Sequence, residues 1–262
     1  MRLMRRAALG VCGVGLVMGC AWSGMAAGHR DVLYQVSTLD GLLAGVYGGT
    51  VSFETLGRHG DFGLGTCDHL DGEMVMLEGQ AYQITTDGAV HLVPPEVTTP
   101  FAMVTWLDAD ITFEVPGPIT YERLQAKITE ELPTDNVFYA IAIAGDFETV
   151  RVRSVPAQTE PYPPLEEVVA DQAVFDLSQM SGTMAGFRCP GYVGGINLAG
   201  YHLHFLSDDC RHGGHALSCR GRNLTVTLDT TCGLNLVLPD RGPFFTVDLT
   251  LDRTDTASKV ER

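Results

Sequence analysis

Four of the chain's eight histidines fall in the short stretch from His202 to His215. In GYHLHFLSDDCRHGGHALSC, the apolar Tyr201, Leu203 and Phe205 alternate with His202 and His204. A strand there turns its apolar residues to one face and both imidazoles to the other. The turn formers in SDDCRHGG are few enough to fold the chain back and return His215 beside them from an adjacent strand. Neutral imidazoles in that arrangement hold a divalent metal and leave coordination positions open. Zinc, manganese, iron and nickel all suit the donor set. The plain alternative is a polar strand face whose histidines only hydrogen-bond. His212, at the turn apex, is expected to be exposed.

Glu73 opens the run EMVML, sharing a strand face with Val75 and Leu77 while Met74 and Met76 take the other. Burial on an apolar face raises a carboxyl pKa toward values useful in proton transfer; an edge glutamate at the rim of the Asp71-Gly72 turn is the simpler alternative. Arg151 and Arg153 alternate with Val150 and Val152, which sends both guanidiniums to one face, where a small anion could be gripped bidentately.

Residues 1–26 read as an export signal: Arg2, Arg5 and Arg6 lead into the uncharged ALGVCGVGLVMGCAW, with small residues in SGMAAG at the cut. The apolar run is short for a membrane span. VMGC resembles a lipoprotein processing site, which would make Cys20 a lipid anchor. The formal net charge is −15, and without the leader 14 basic residues face 32 acidic ones, giving −18. Such a surface repels nucleic acid and anionic membranes. It suits an exported protein, periplasmic, extracellular or lipid-anchored, that acts on a small molecule; an anionic substrate then needs a local positive site. Beyond the leader, Cys67, Cys189, Cys210, Cys219 and Cys232 lack structural-zinc spacing. Cys210 and Cys219 flank the histidine turn and could bridge in an oxidising compartment.

The elements that must position these groups are strands with few helices. VLYQVS reads as a strand, followed by a helix capped by Ser37 and stopped at Gly48 or Gly49. From Phe62 to Val93, alternating runs broken by Asp71-Gly72, Glu78-Gly79 and Asp87-Gly88 predict a meander. ITYERLQAKITEEL is helical in period, and NVFYAIAIAG and FETVRVRSV are two strands. VPAQTEPYPPLEE predicts a boundary between an N-terminal β-rich α+β domain at 27–158 and a C-terminal β domain at 159–250 that carries the histidines. The polar 251–262 is by default a flexible end. Gly65 with Gly186, Leu77 with Leu198 and Gly79 with Gly200 keep one offset, the mark of a possible duplicated unit. The fold class is α+β: two mixed β-sheet domains with few helices.

HGDFGLGTCDHLDGEMVMLEGQAYQI, TPFAMVTW, VRSVPAQTEPYPPL, GINLAGYHLHFLSDD and the following GGH, in that order, strongly resemble the alpha-acetolactate decarboxylase family from about Leu33 onward. The resemblance implies zinc, or another divalent transition metal, held by His202, His204 and His215. It picks Arg153 in RSV as the catalytic arginine that also binds substrate, and Glu73 in DGEMV as a catalytic and substrate-binding carboxyl. A second family glutamate near the C-terminus matches Glu261 in KVER, so 251–262 would fold back to the site. It further implies a homodimer and metal-dependent decarboxylation of 2-acetolactate to chiral acetoin and carbon dioxide, in acetoin and butanediol biosynthesis, with no organic cofactor.

Two other functions fit fewer residues. A cupin-like metal oxygenase would place a glutamate soon after HxH, where FLSDD offers only Asp208 and Asp209. An exported, non-enzymatic metal-binding protein would leave Arg153 and Glu73 idle.

Overall fold

Chemistry spread from Glu73 to Glu261 has to be gathered by long-range strand pairing. The computed structural model describes residues 30–261; the leader at 1–26 and Cys20 lie outside the described residues.

Strand β1 (Val32–Val36) leads into helix α1 (Leu39–Leu43). Its cap is Thr38, whose side chain accepts from Gly41 N, and not Ser37, which sits at φ 61. The helix stops at Gly45, at φ 86, before Gly48 is reached. That left-handed angle is one glycine adopts without penalty. Strand β2 (Val51–Ser52) and helix α2 (Phe53–Leu56) precede the meander of β3 (Phe62–Thr66), β4 (Glu73–Leu77), β5 (Gln80–Ile84) and β6 (Val90–Leu92). Its turns carry Gly72, Gly79 and Gly88 at φ 75 to 81, as the Asp-Gly and Glu-Gly pairs predict. Strand β7 (Thr98–Thr99) pairs with β2, and β8 (Ala102–Thr105) enters the main sheet.

Strands β9 (Ile111–Val115) and β10 (Ile119–Thr120) and helix α3 (Tyr121–Glu131) come next. The two strands expected at NVFYAIAIAG and FETVRVRSV are one, β11 (Phe138–Ser154), bent by register shifts at Ala144/Asp146 and Phe147/Thr149. Helix α4 (Leu165–Val169), strands β12 (Ala173–Cys189), β13 (Gly200–Ser207), β14 (Gly213–Thr231) and β15 (Gly233–Val237), and helix α5 (Thr254–Val260) complete the chain.

Two large sheets result, confirming the α+β class. The first runs β15-β1-β8-β3-β4-β5-β6, with β15 parallel to β1. The second runs β10-β14-β11-β12-β13, with β9 also on β14 and β13 returning onto β14. Each sheet draws strands from both sides of the proline-rich connector: β11 pairs with β12 and β14, while β15 joins β1.

One apolar cluster fills the space between the sheets, with Leu64, Val75, Ala140 and Phe187 among its members. A second fills the space under α3 with Leu124, Ile128, Val150 and Val152. Ile143 and Phe147 face α3, as Val150 and Val152 do, so the shift at Phe147/Thr149 changes the parity of β11 and leaves Arg153 on the side of the first sheet. Cys210 packs against the first cluster and Cys219 belongs to the second, so the sheet lies between them; all five described cysteines are free thiols. No described helix is long and apolar enough to cross a membrane.

Candidate metal centre and active site

Alternation on β13 puts Leu203 and Phe205 into the α3-side core and turns His202 and His204 toward the first sheet. Beside it, His204 pairs with His215 of β14, and His215 pairs in turn with Arg153 of β11. The glycines before His215 let the backbones close in: a Cβ on Gly213 would lie 2.5 Å from Phe205 O, and one on Gly214, at φ 138, 2.4 Å from Arg153 O. Across the gap, Glu73 opens β4. Glu261 caps the C-terminal end of α5, whose Ala257 and Val260 are buried. Helix α5 thus brings Glu261 against His202 and His215. His202, His204, His215, Glu73, Arg153 and Glu261 are all between 1% and 7% exposed. Arg151 points to solvent, 3.6 Å from Asp176. His212 lies outside the group, half-buried rather than exposed.

The three imidazoles offer nitrogens that lie within 4.8 Å of one another. His202 Nε2 and His204 Nε2 are 3.2 Å apart. Nitrogens on one tetrahedral zinc with bonds of about 2.0–2.1 Å stand roughly 3.3–3.4 Å from each other, so this spacing fits. His204 Nδ1 lies 2.9 Å from Met74 O, and His215 Nε2 lies 3.1 Å from Glu261 O. Each ring nitrogen facing a carbonyl must carry the proton, which leaves the lone pairs of His204 Nε2 and His215 Nδ1 for a metal. His215 Nδ1 is buried with no hydrogen-bond partner, and so is Glu261 Oε2, 3.7 Å from it and 3.3 Å from His202 Nε2. Buried orphans of this kind are rare and ask for a partner; a divalent cation among them is one the donor set fits.

Burial drives all three histidines toward the neutral form, His202 down to about 3 and the other two well below their ordinary value, with Arg153 pushing the same way. Neutral imidazoles are ready ligands. Burial also raises Glu73 to about 7, against the Arg153 guanidinium that lowers it and with Glu261 adding to the rise. Glu261 is raised by burial and lowered by Arg153. Arg153 Nε is 3.8 Å from Glu73 Oε1 and Arg153 Nη2 is 3.9 Å from Glu261 Oε2. Glu73 Oε2 is 3.5 Å from His204 Nε2. One cation therefore stands between two carboxyls beside the triad, close enough to both for electrostatic contact and too far for direct hydrogen bonds.

A small cavity of about 30 Å³ opens at this point, walled by Leu42, Leu70, Phe101 and Leu165. Leu70, Phe101 and Leu165 lie within the family-like stretches, but as apolar side chains from different elements they carry no chemistry that marks them in the sequence as site walls. A much larger cleft, about 580 Å³, lies at the other end of the gap between the sheets, beside Phe62, Leu77 and Leu206 and away from the histidines.

A family model described as Alpha-acetolactate decarboxylase matches residues 33–251. The chain is 44% identical over 232 residues to the alpha-acetolactate decarboxylase of Methanosarcina mazei, covering 88% of this chain and 81% of that protein. It is 43% identical over 235 residues to that of Methylococcus capsulatus, covering 89% and 90%. The crystal structure of alpha-acetolactate decarboxylase from Bacillus subtilis strain 168 superposes with a TM-score of 0.85 at 36% identity, covering 88% of this chain and 98% of that one.

Proposed function

The chain belongs to the alpha-acetolactate decarboxylase family and is a carboxy-lyase that converts 2-acetolactate to acetoin and carbon dioxide, and on that premise we propose a metal-dependent division of labour among six buried residues. The convergence of Arg153, Glu73 and Glu261 on the histidine triad carries this reading.

His202, His204 and His215 would hold a divalent ion, zinc being one whose bond lengths the nitrogen spacing fits. When bound, the ion supplies Lewis-acid charge to the electron pair released as the carboxylate leaves. Arg153 is the cation of the site and binds the substrate carboxylate, meeting the need for a local positive charge inside an acidic protein. Breaking the carbon–carbon bond moves its electron pair toward the neighbouring ketone, and the same carbon must then take up a proton. Glu73 and Glu261 flank the triad and manage that proton; a carboxyl raised to about 7 holds one near neutral pH. Delivery from a fixed carboxyl to one face yields one acetoin enantiomer. Leu42, Leu70, Phe101 and Leu165 keep water from competing as proton source.

Protein lacking residues 1–26, given racemic acetolactate with and without a chelator, tests this. Chelator-sensitive release of carbon dioxide with one acetoin enantiomer in excess is expected. Turnover by metal-free protein would overturn the metal assignment. We also propose that the leader directs export, that Cys20 is the lipid anchor if processing occurs there, and that the working unit is a homodimer. N-terminal analysis of the mature protein and its mass in solution check these.

A further inference from the structure

Arg153 has one side-chain hydrogen bond, and it is not to either carboxyl: Nη1 donates to Gln172 Oε1 at 3.4 Å. Gln172 immediately precedes β12, in the turn after α4, with its backbone N–H donating to Val169 O. The pairing of Ser154 with Ala173 and of Arg153 with Val174 fixes its place beside the end of β11. The guanidinium is therefore held at three corners: Nε toward Glu73, Nη2 toward Glu261 and Nη1 on a neutral amide.

We propose that Gln172 is a positioning residue that holds Arg153 poised between Glu73 and Glu261, so that the guanidinium is free for the substrate carboxylate. Without the amide, Arg153 is within a small torsional movement of closing either gap, 3.8 or 3.9 Å, to a direct ion pair. Such a pair satisfies the guanidinium internally and competes with the incoming carboxylate. An acceptor without charge suits this post: it fixes a donor while leaving the positive charge for the ligand. A carboxylate there would fix the donor and neutralise it. The inference rests on the assignment of Arg153 to substrate binding.

The experiment compares Gln172→Met, Gln172→Glu and Arg153→Ala with the unaltered enzyme, metal-loaded, measuring kcat, KM and melting temperature, and adds the Arg153→Ala/Gln172→Met double variant. Methionine keeps the volume and removes the acceptor. Loss of a hydrogen bond to a charged group corresponds to an effect of roughly 10- to 150-fold, and a bond as long as 3.4 Å belongs at the weak end, so KM in Gln172→Met is expected to rise about 5- to 20-fold while kcat falls less than about threefold and the melting temperature holds. Gln172→Glu is expected to raise KM further than Gln172→Met, because charge and not only geometry is altered. In the double variant the Gln172 change is expected to add nothing to Arg153→Ala, since Gln172 acts through the arginine. Unchanged KM in Gln172→Met beside a raised KM in Arg153→Ala would overturn the role of Gln172 alone. Unchanged KM in Arg153→Ala would overturn the substrate-binding role of Arg153, and the inference with it.

Discussion

Each of the six buried side chains at the site is defined by what its partners leave unsatisfied. His204 and His215 spend one nitrogen on a backbone carbonyl, and Arg153 meets Glu73 and Glu261 without bonding to either. On the proposed division of labour, holding metal and handling substrate are separable at single residues. His215→Ala is expected to release the metal and abolish turnover together, whereas Arg153→Ala is expected to keep its metal and lose about 100-fold in kcat/KM; metal analysis alongside steady-state kinetics checks both. Away from the site, Asp229 of β14 is 1% exposed, accepts from Asp108 N with Oδ2 and leaves Oδ1 without a partner. Burial pushes its carboxyl up to about 7. Since the folded state favours the protonated form, the stability this gives is present below the ordinary value near 4 and is lost as pH rises through about 7. Asp229→Asn is expected to flatten that fall and raise the melting temperature at pH 7 by about 2–4 °C, with little change at pH 4; thermal melts across the range decide it.

At the scale of elements, precision comes from close approach between β11, β13 and β14. Gly214 is one of the closest points, at φ 138 with Arg153 O 2.4 Å from where a Cβ would sit. Gly214→Ala is expected to cost about 3 kcal/mol in stability through backbone strain and overpacking, and to move His215 and Arg153 apart, lowering metal affinity and kcat/KM together; denaturant unfolding and metal titration of the variant test this. The elements differ in how plainly the sequence declares them. The meander is legible because each turn needs a residue tolerant of positive φ and has glycine there. The triad is legible because alternation in YHLHF leaves only one face for both imidazoles. The union of two runs into β11 is not, since Gly145 reads as a break where the strand only bends. Nor is the α1 cap, where Ser37 and Thr38 are chemically equivalent and the left-handed angle at Ser37 decides.

Over the whole molecule, the sheets do not follow sequence halves, because β15 returns to lie parallel to β1 while β9, β10 and β11 join the later strands. No local pattern encodes which distant edge a strand will meet, and the walls of the site were hidden for the same reason: Leu42, Leu70, Phe101 and Leu165 become neighbours only once the sheets face each other. The candidate groups Glu73 and Arg153 could be weighed from chemistry as well as family resemblance, whereas Glu261 was legible from the resemblance alone; α5 is the element that carries it to the histidines. Global charge is legible from composition and has a kinetic consequence. A net charge of −15 repels an anionic substrate on its approach to the site. Screening should help, so kcat/KM is expected to rise about two- to threefold between roughly 10 mM and 150 mM salt, opposite to a steered enzyme; a salt series at fixed pH measures it.

His204 is tethered by its ring to Met74 in the first sheet, while Glu73 of the same strand reaches back to it. An ion seated on the triad would lie between two layers, with a cavity of only about 30 Å³ leading to it. If a chelator larger than the substrate has to wait for the layers to part, escape of the ion is expected to be a breathing event rather than a ligand exchange. Metal loss should then proceed at a rate that stops depending on chelator concentration once chelator is plentiful, and should quicken on heating as steeply as an opening reaction does. A rate proportional to chelator at every concentration would show that the ion is reached directly.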